Sequence, residues 1–335
     1  MKRIGARPLV AALVAAGTVG TVAATSLQAT AAGALAGKKI GVEFCTQANP
    51  FCNSWVKVFT AALQKQGATV TTLTSNFDPA VDAQNMSQLI AQKPNLIVIT
   101  PADPSAIIPS LARAKAARIP VINAIGRLTP AGQKLVVSSV LTNNTKLGQF
   151  AAQNIVQGLR AEGVKKGNVV AETGTATQLI VQDRVAAFKA AMAKYPQYKI
   201  VAVQDTNWDQ ATSATVFQQL EAKYKSQGGI QAAYGMADNQ AVGIIQGAQQ
   251  AGVSVGVKKK GLIVTGSNCL SVGIAAIKSG TEYGTGTQAP LTEAGTAAKI
   301  AIKVLEGKSV PAVVQVKESR ITASNVSKFT KLCTF

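Results

Sequence analysis

From Lys38 onward the apolar positions follow two alternating rhythms. Short runs rich in β-branched residues, at Lys39 to Phe44, Thr69 to Leu73, Leu96 to Thr100, Val121 to Ile125 and Leu135 to Leu141, read as strands. Longer segments with helical spacing separate them, at Phe51 to Gln66, Val81 to Gln92 and Ser105 to Ala117, and Pro50, Gly67, Pro94, Pro104 and Pro120 mark the switches. After a helix over Lys146 to Ala161 the pattern restarts, with strands at Asn168 to Glu172, Ile200 to Gln204, Ala232 to Met236 and Leu262 to Gly266. Helices fill Ile180 to Lys194, Gln210 to Lys225, Gln240 to Ala251 and Val272 to Ser279. The right-handed crossover turns each β-α-β-α-β series into a parallel sheet with helices on both faces. An α/β chain of two doubly wound parallel-sheet lobes is therefore predicted, with a cleft at the carboxyl ends of the strands and ligand residues on the loops that follow them.

Composition agrees with this: 335 residues, 47% hydrophobic and 15% charged, suit two packed domains and not a disordered chain. Ahead of the first strand, Lys2, Arg3 and Arg7, an apolar stretch from Leu9 to Val22 and Ala29-Thr30-Ala31 read as a secretory signal peptide over residues 1–31. The stretch is too rich in Ala, Gly and Thr for a membrane span, and no cysteine precedes Cys45 to carry a lipid. A soluble periplasmic or otherwise extracytoplasmic protein is expected. The net charge of +19 falls to +16 without the leader, and only Lys258-Lys259-Lys260 forms a run, between Gly256 and Gly261. That is the pattern of a solvated loop, so no nucleic-acid partner is expected, while an anionic envelope surface is compatible with the charge.

Histidine is absent, which excludes His-dependent nucleophilic catalysis and His-ligated metals. Four cysteines allow three pairings, and local pairing favours Cys45 with Cys52 and Cys269 with Cys333 as structural disulfides. No Cys-x-x-Cys is present, so no metal is expected, and no cofactor is assigned. Three further motifs fail on context. Gly284-Thr-Gly286-Thr-Gln-Ala289 looks like a dinucleotide turn, but Glu306 falls at a helix end and not after a second strand. Gly307-Lys308-Ser309 resembles the end of a phosphate loop, yet Ile302 stands where that loop needs glycine, and Gly307 reads as a helix terminator. Asp205 and Asp209 flank Trp208 in the manner of a hydrolase pair, but a loop-ordering role and a helix cap explain them. No catalytic residue is assigned.

The loop after the first strand reads Phe44-Cys45-Thr46-Gln47-Ala48-Asn49-Pro50-Phe51-Cys52, an amide and an aromatic face at a cleft mouth. Here the chain resembles the type I periplasmic sugar-binding proteins, nearest the ribose-binding branch that serves ABC importers. The resemblance continues in Ile97 to Ala106, in Ile119-Pro120-Val121-Ile122, in Asp183-Arg184 before Phe188, in Trp208 and in Gly235-Met236-Ala237-Asp238. It extends to Gly266-Ser267-Asn268, to Gln288 before Ala289-Pro290 and to Arg320 through Val326. There are departures: Asn123-Ala124-Ile125-Gly126-Arg127 replaces an Asp-Arg pair, Asn268 stands for an Asp, Thr100 for an Asn, Ala237 precedes Asp238, and Cys52 replaces an aromatic. The loss of carboxylates moves the expected ligand away from ribose itself.

The resemblance implies the type I periplasmic binding protein fold, two lobes joined by a three-segment hinge near Leu141 to Asn143, Thr287 to Ala289 and Val316 to Lys317. The lobes are expected over 37–142 plus 289–316 and over 143–288 plus 317–335. It implies a non-enzymatic monomer that closes on a sugar or polyol and docks on the membrane subunits of an ABC permease. Phe51 and Trp208 would stack on the solute, Arg184 and Arg127 would donate to it, and Asn49, Asn268 and Gln288 would orient it. Cys52, Thr100 and Ala237 complete the expected lining. Two alternatives keep the same cleft: a sensor that presents its ligand to a chemoreceptor or histidine kinase, and a binder of a sugar acid or other non-sugar solute.

Overall fold

The computed structural model describes residues 33–257 and 260–335, so the signal-peptide expectation for 1–31 and the Lys258-Lys259 part of the basic run lie outside the described residues. The first round of elements is β1 (Lys39–Phe44), α1 (Pro50–Gln64), β2 (Thr69–Thr74), α2 (Pro79–Ala91), β3 (Leu96–Ile99), α3 (Ile108–Ala116), β4 (Val121–Ile125), a short α4 (Pro130–Gln133) and β5 (Ser138–Leu141). The second is α5 (Asn144–Ala161), β6 (Gly167–Thr173), α6 (Leu179–Met192), β7 (Tyr198–Asp205), α7 (Gln210–Tyr224), β8 (Ala232–Gly235), α8 (Asp238–Gln250), β9 (Ile263–Thr265), α9 (Ser271–Ser279) and β10 (Gly284–Gly286). The chain closes with α10 (Pro290–Leu305), β11 (Val313–Gln315) and β12 (Arg320–Thr322).

Two six-stranded sheets result, in the orders β11-β5-β4-β3-β1-β2 and β12-β10-β9-β8-β6-β7. The first is parallel throughout, and the second is parallel except where β12 runs antiparallel to β10. Each sheet has its own core. In the first lobe Phe44 and Trp55 stack at 4.4 Å and Trp55 and Phe59 at 5.0 Å, while Phe188 meets Tyr234 at 5.2 Å in the second. The helices start where the sequence supplies an oxygen for their free N–H groups: Asn49 caps α1, Asp78 caps α2 and Asp209 caps α7.

The two lobes repeat one another closely. The residue after β3, Thr100, donates its N–H to the Glu43 carbonyl at 3.1 Å, and the residue after β8, Met236, does the same to Glu172 at 3.0 Å. Glu43 and Glu172 thus hold equivalent places on the first strand of each lobe, and both side chains are fully buried. The chain passes between the sheets three times, at residues 142–143 (β5 to α5), 287–289 (β10 to α10) and 316–319 (β11 to β12).

Three boundaries differ from the sequence reading for local reasons. Thr129 caps α4, and Leu135 N–H closes on Gly132 at 2.9 Å, so extended structure begins at Ser138 and not at Leu135. Asp103 accepts from Ser105 and Ala106 N–H at 2.7 and 3.0 Å, a turn that delays α3 to Ile108. Gly284-Thr285-Gly286, read as a turn before a helix, is strand β10. A Cβ at Gly284 would collide with the Ile321 carbonyl of β12, so the antiparallel edge needs glycine there.

Candidate functional site

The loops at the carboxyl ends of both sheets enclose a space of about 690 Å³, counting its open mouth. All ten residues singled out in the sequence border it: Asn49, Phe51, Cys52, Thr100, Arg127, Arg184, Trp208, Ala237, Asn268 and Gln288. Phe77, Ile125, Gln178 and Ile180 also border it and were not foreseen.

Trp208 is seated by three features. Its indole N–H donates to Gln178 at 2.8 Å, its carbonyl accepts from Asn239 at 2.7 Å, and a Cβ on Gly174 would overlap the indole. Across the cleft, Phe77 sits in the corresponding loop of the first lobe. The segments read Ser75-Asn76-Phe77-Asp78 and Thr206-Asn207-Trp208-Asp209; each follows the second strand of its lobe and ends on the cap of the next helix. In both, the Asn and the aromatic adopt left-handed backbone, with φ of 52° and 63° in one and 49° and 60° in the other. Ile125 at 71° and Asn268 at 102° share that region. Such conformations are costly for residues with a side chain and concentrate at binding and catalytic sites. The repeated Ser/Thr-Asn-aromatic-Asp segment is the sequence signal that would have found Phe77.

Arg184, on α6, is the electrostatic centre of the space, and it is fully buried. Its Nε donates to Asn144 Oδ1 at 2.7 Å, Nη1 to the Met236 carbonyl at 2.8 Å and Nη2 to Gln288 Oε1 at 2.5 Å. Its guanidinium also lies 5.7 Å from the Trp208 ring centroid. Asn268 Nδ2 shares Gln288 Oε1 at 2.7 Å, which leaves Asn268 Oδ1 buried with no partner. Gln288 continues through Nε2 to Thr142 Oγ1 at 3.1 Å, and Thr142 donates to Glu293. The second crossing thus ties the guanidinium to the first. Thr287 donates to Glu318 at 3.0 Å, which joins the third. Burial raises the affinity of Glu293 and Glu318 for a proton, reinforced for Glu293 by the charge of Glu318, while the positive charge of Arg184 opposes it in both.

Other expected residues sit at the site but are held by the protein. Asn49 Oδ1 is occupied as a helix cap by Phe51 and Cys52 N–H at 3.0 and 3.2 Å, and its Nδ2 reaches the Trp208 carbonyl across the cleft at 3.4 Å. Arg127 forms a forked pair with Asp183 of the facing lobe at 2.8 and 3.0 Å, so its guanidinium already has a partner at the rim. Thr100 donates to the Ala124 carbonyl at 3.3 Å. Asp238 supports the loop that carries Asn268, accepting from Leu270 N–H at 2.7 Å and Thr285 hydroxyl at 2.6 Å. Both expected disulfides are present, Cys45–Cys52 with Cα atoms 6.1 Å apart and Cys269–Cys333 with 4.8 Å. Asp209 caps α7 and Asp205 orders its loop by accepting from Asn207 and Ala176 N–H at 2.8 and 3.2 Å. The described residues contain no cluster of metal ligands and no helix long and apolar enough to cross a membrane.

Residues 40–309 match the model of the periplasmic binding protein domain. The chain belongs to that family. It is 28% identical over 292 residues to the ribose import binding protein RbsB of Salmonella typhimurium, covering 87% of this chain and 93% of the relative. Among solved structures, this periplasmic binding protein is 27% identical to an ABC transporter solute-binding protein from Mycobacterium smegmatis with bound glycerol, with a TM-score of 0.77 over 87% of this chain and 96% of the other. A galactofuranose-binding protein, 18% identical, shares the fold at a TM-score of 0.81 over 88% and 98%. The architecture is the type I periplasmic binding protein fold in two lobes.

Proposed function

We propose that this protein is the exported capture subunit of an ABC importer, closing its two lobes on one small solute of the sugar, polyol or related class and presenting the closed form to a membrane permease. The observation that carries this reading is the buried Arg184–Gln288–Thr142 chain, which links the cleft floor directly to the segments that join the lobes. A solute that touches Arg184 or Asn268 bears on the same residues that a hinge motion must move. The three crossings serve as the hinge, with lobes over 37–142 plus 289–316 and 143–288 plus 317–335. Phe51, Phe77 and Trp208 supply flat faces, and the Cys45–Cys52 disulfide ties the loop after β1 to the first turn of α1, where Phe51 sits. The ribose import function of the Salmonella relative and the glycerol in the smegmatis structure support the solute class. A binding role, and not a catalytic one, agrees with the family and with the structural duties of Asp205 and Asp209.

The test is a thermal-shift screen of the chain from Ala32 against pentoses, hexoses, polyols and sugar acids. A solute at 100 times its Kd adds about 2.7 kcal/mol of stability. At least one compound is expected to raise the melting temperature and to shrink the radius of gyration in solution scattering. Silence across the panel overturns the sugar and polyol class, and a shift with no compaction overturns the capture reading.

A further inference from the structure

We infer that the solute is a small ring-bearing hydroxy acid, with its carboxylate on Arg184, a neighbouring hydroxyl on Asn268 Oδ1 and an apolar ring face against Trp208 and Phe51. The inference rests on the capture reading and narrows its solute class. Arg184 is 1% exposed, and all three of its hydrogen-bond acceptors are neutral: an amide oxygen, a backbone carbonyl and another amide oxygen. A guanidinium carries five N–H groups; three are used in these bonds and the Tyr234 hydroxyl also meets the guanidinium, so not all of its donors are spent within the protein, and Arg184 borders the space. Among the described residues, no Asp or Glu lines that space. The acids that sense the Arg184 charge, Glu293 and Glu318, stand in and beside the chain crossings and are drawn toward their neutral forms by burial. A cation taken out of water without a paired anion is costly, and a bound carboxylate supplies that anion through a charge-assisted hydrogen bond.

The rest of the lining points the same way. A polyhydroxylated neutral solute brings one donor per hydroxyl and needs acceptors to receive them. Asn49 Oδ1 and Gln288 Oε1 each accept two protein donors and Gln178 Oε1 accepts one, while Asn268 Oδ1 is a buried acceptor left open. A hydroxyl left unpaired on burial costs free energy, so a solute with one hydroxyl beside an anionic group fits this inventory better than one with four or five.

Matched pairs that share a ring and differ in charge test the inference by calorimetric titration: mandelate against 1-phenylethane-1,2-diol, cyclohexanecarboxylate against cyclohexylmethanol, and glucuronate against glucose. D-ribose and myo-inositol serve as fully hydroxylated neutral probes. The acid is expected to bind about tenfold or more tighter than its neutral partner, with mandelate the tightest of the acids. Asn268→Asp, which places a carboxylate beside Arg184, is expected to weaken the acid about tenfold or more while the melting curve stays cooperative. Tighter binding of ribose or inositol than of every acid overturns the hydroxy-acid assignment and leaves solute capture standing. Absence of acid binding, or acid affinity unchanged in Asn268→Asp, overturns it as well.

Discussion

Glu172 offers a test of the fold's electrostatics that needs no ligand. Its side chain is fully buried at the end of β6, with no hydrogen-bond partner on either oxygen, and burial pushes its pKa up to about 8; the nearby Ser213 hydroxyl offsets only part of that. In the unfolded chain the same carboxyl ionises near its ordinary value of 4.5. Between these values the folded state holds a proton that the unfolded state has released, so the native state binds more protons and stability must fall as pH rises. The contribution is intact below the unfolded pKa and is lost as pH climbs through the folded one. At about 1.4 kcal/mol per pKa unit, the interval from pH 5 to pH 8 removes roughly 3 kcal/mol. Glu172→Gln keeps the shape and removes the titration. Urea unfolding of both proteins at pH 5, 6, 7 and 8 is expected to show the variant gaining roughly 3 kcal/mol on the parent across that range. The other buried acids tilt both curves alike, so the difference isolates Glu172. A difference that stays constant from pH 5 to pH 8 would refute the reasoning.

Asp183→Asn cuts the exposed pair that bridges the lobes; because such pairs contribute only about 0–1 kcal/mol, stability is expected to hold while solution scattering reports a more open ligand-free ensemble, and an unchanged radius of gyration counts against a latch. Gly174→Val pushes a side chain into the Trp208 indole, so red-shifted tryptophan emission and loss of solute affinity are expected with a cooperative fold, and unchanged emission contradicts the seat described for Trp208. The disulfides differ in the loops they close, with sequence separations of 7 and 64. In chain-entropy terms Cys45→Ser/Cys52→Ser costs about 2–3 kcal/mol and Cys269→Ser/Cys333→Ser about 4, measurable by urea denaturation, and a reversed order rejects loop entropy as the source.

The lobes, their parallel sheets and the strand-end location of the cleft were legible because periodicity and proline punctuation report directly on strands and helices. The ten lining residues were legible in position and only partly in duty. Asn49 reads as an amide offered to a solute, but Asn-Pro before an apolar run is equally a helix start, and its oxygen is spent on that cap. Arg127 reads as a free donor because its partner, Asp183, is distant in sequence and meets it only when the lobes face each other. Strand β10 was illegible because its two glycines look like a turn until β12 is seen to press against one of them.

The fate of the acidic residues shows a further limit of reading charge from composition. Among the described residues seven of the fifteen acids are buried: Glu43, Asp82, Glu172, Asp238, Glu282, Glu293 and Glu318. Burial raises the proton affinity of Glu43, Glu172, Asp238, Glu282, Glu293 and Glu318. Two consequences follow. Burial draws these carboxyls toward their neutral forms, so the formal charge understates how positive the protein is, and few acids remain outside to offset its lysines. The acids are also placed in order: Glu43 and Glu172 at equivalent strand ends, Asp238 and Glu282 behind the Asn268 loop, Glu293 and Glu318 beside the crossings. None lines the cleft. Among the described residues, Arg184 therefore borders a space with no carboxylate in its lining, and most of the remaining lining residues are apolar.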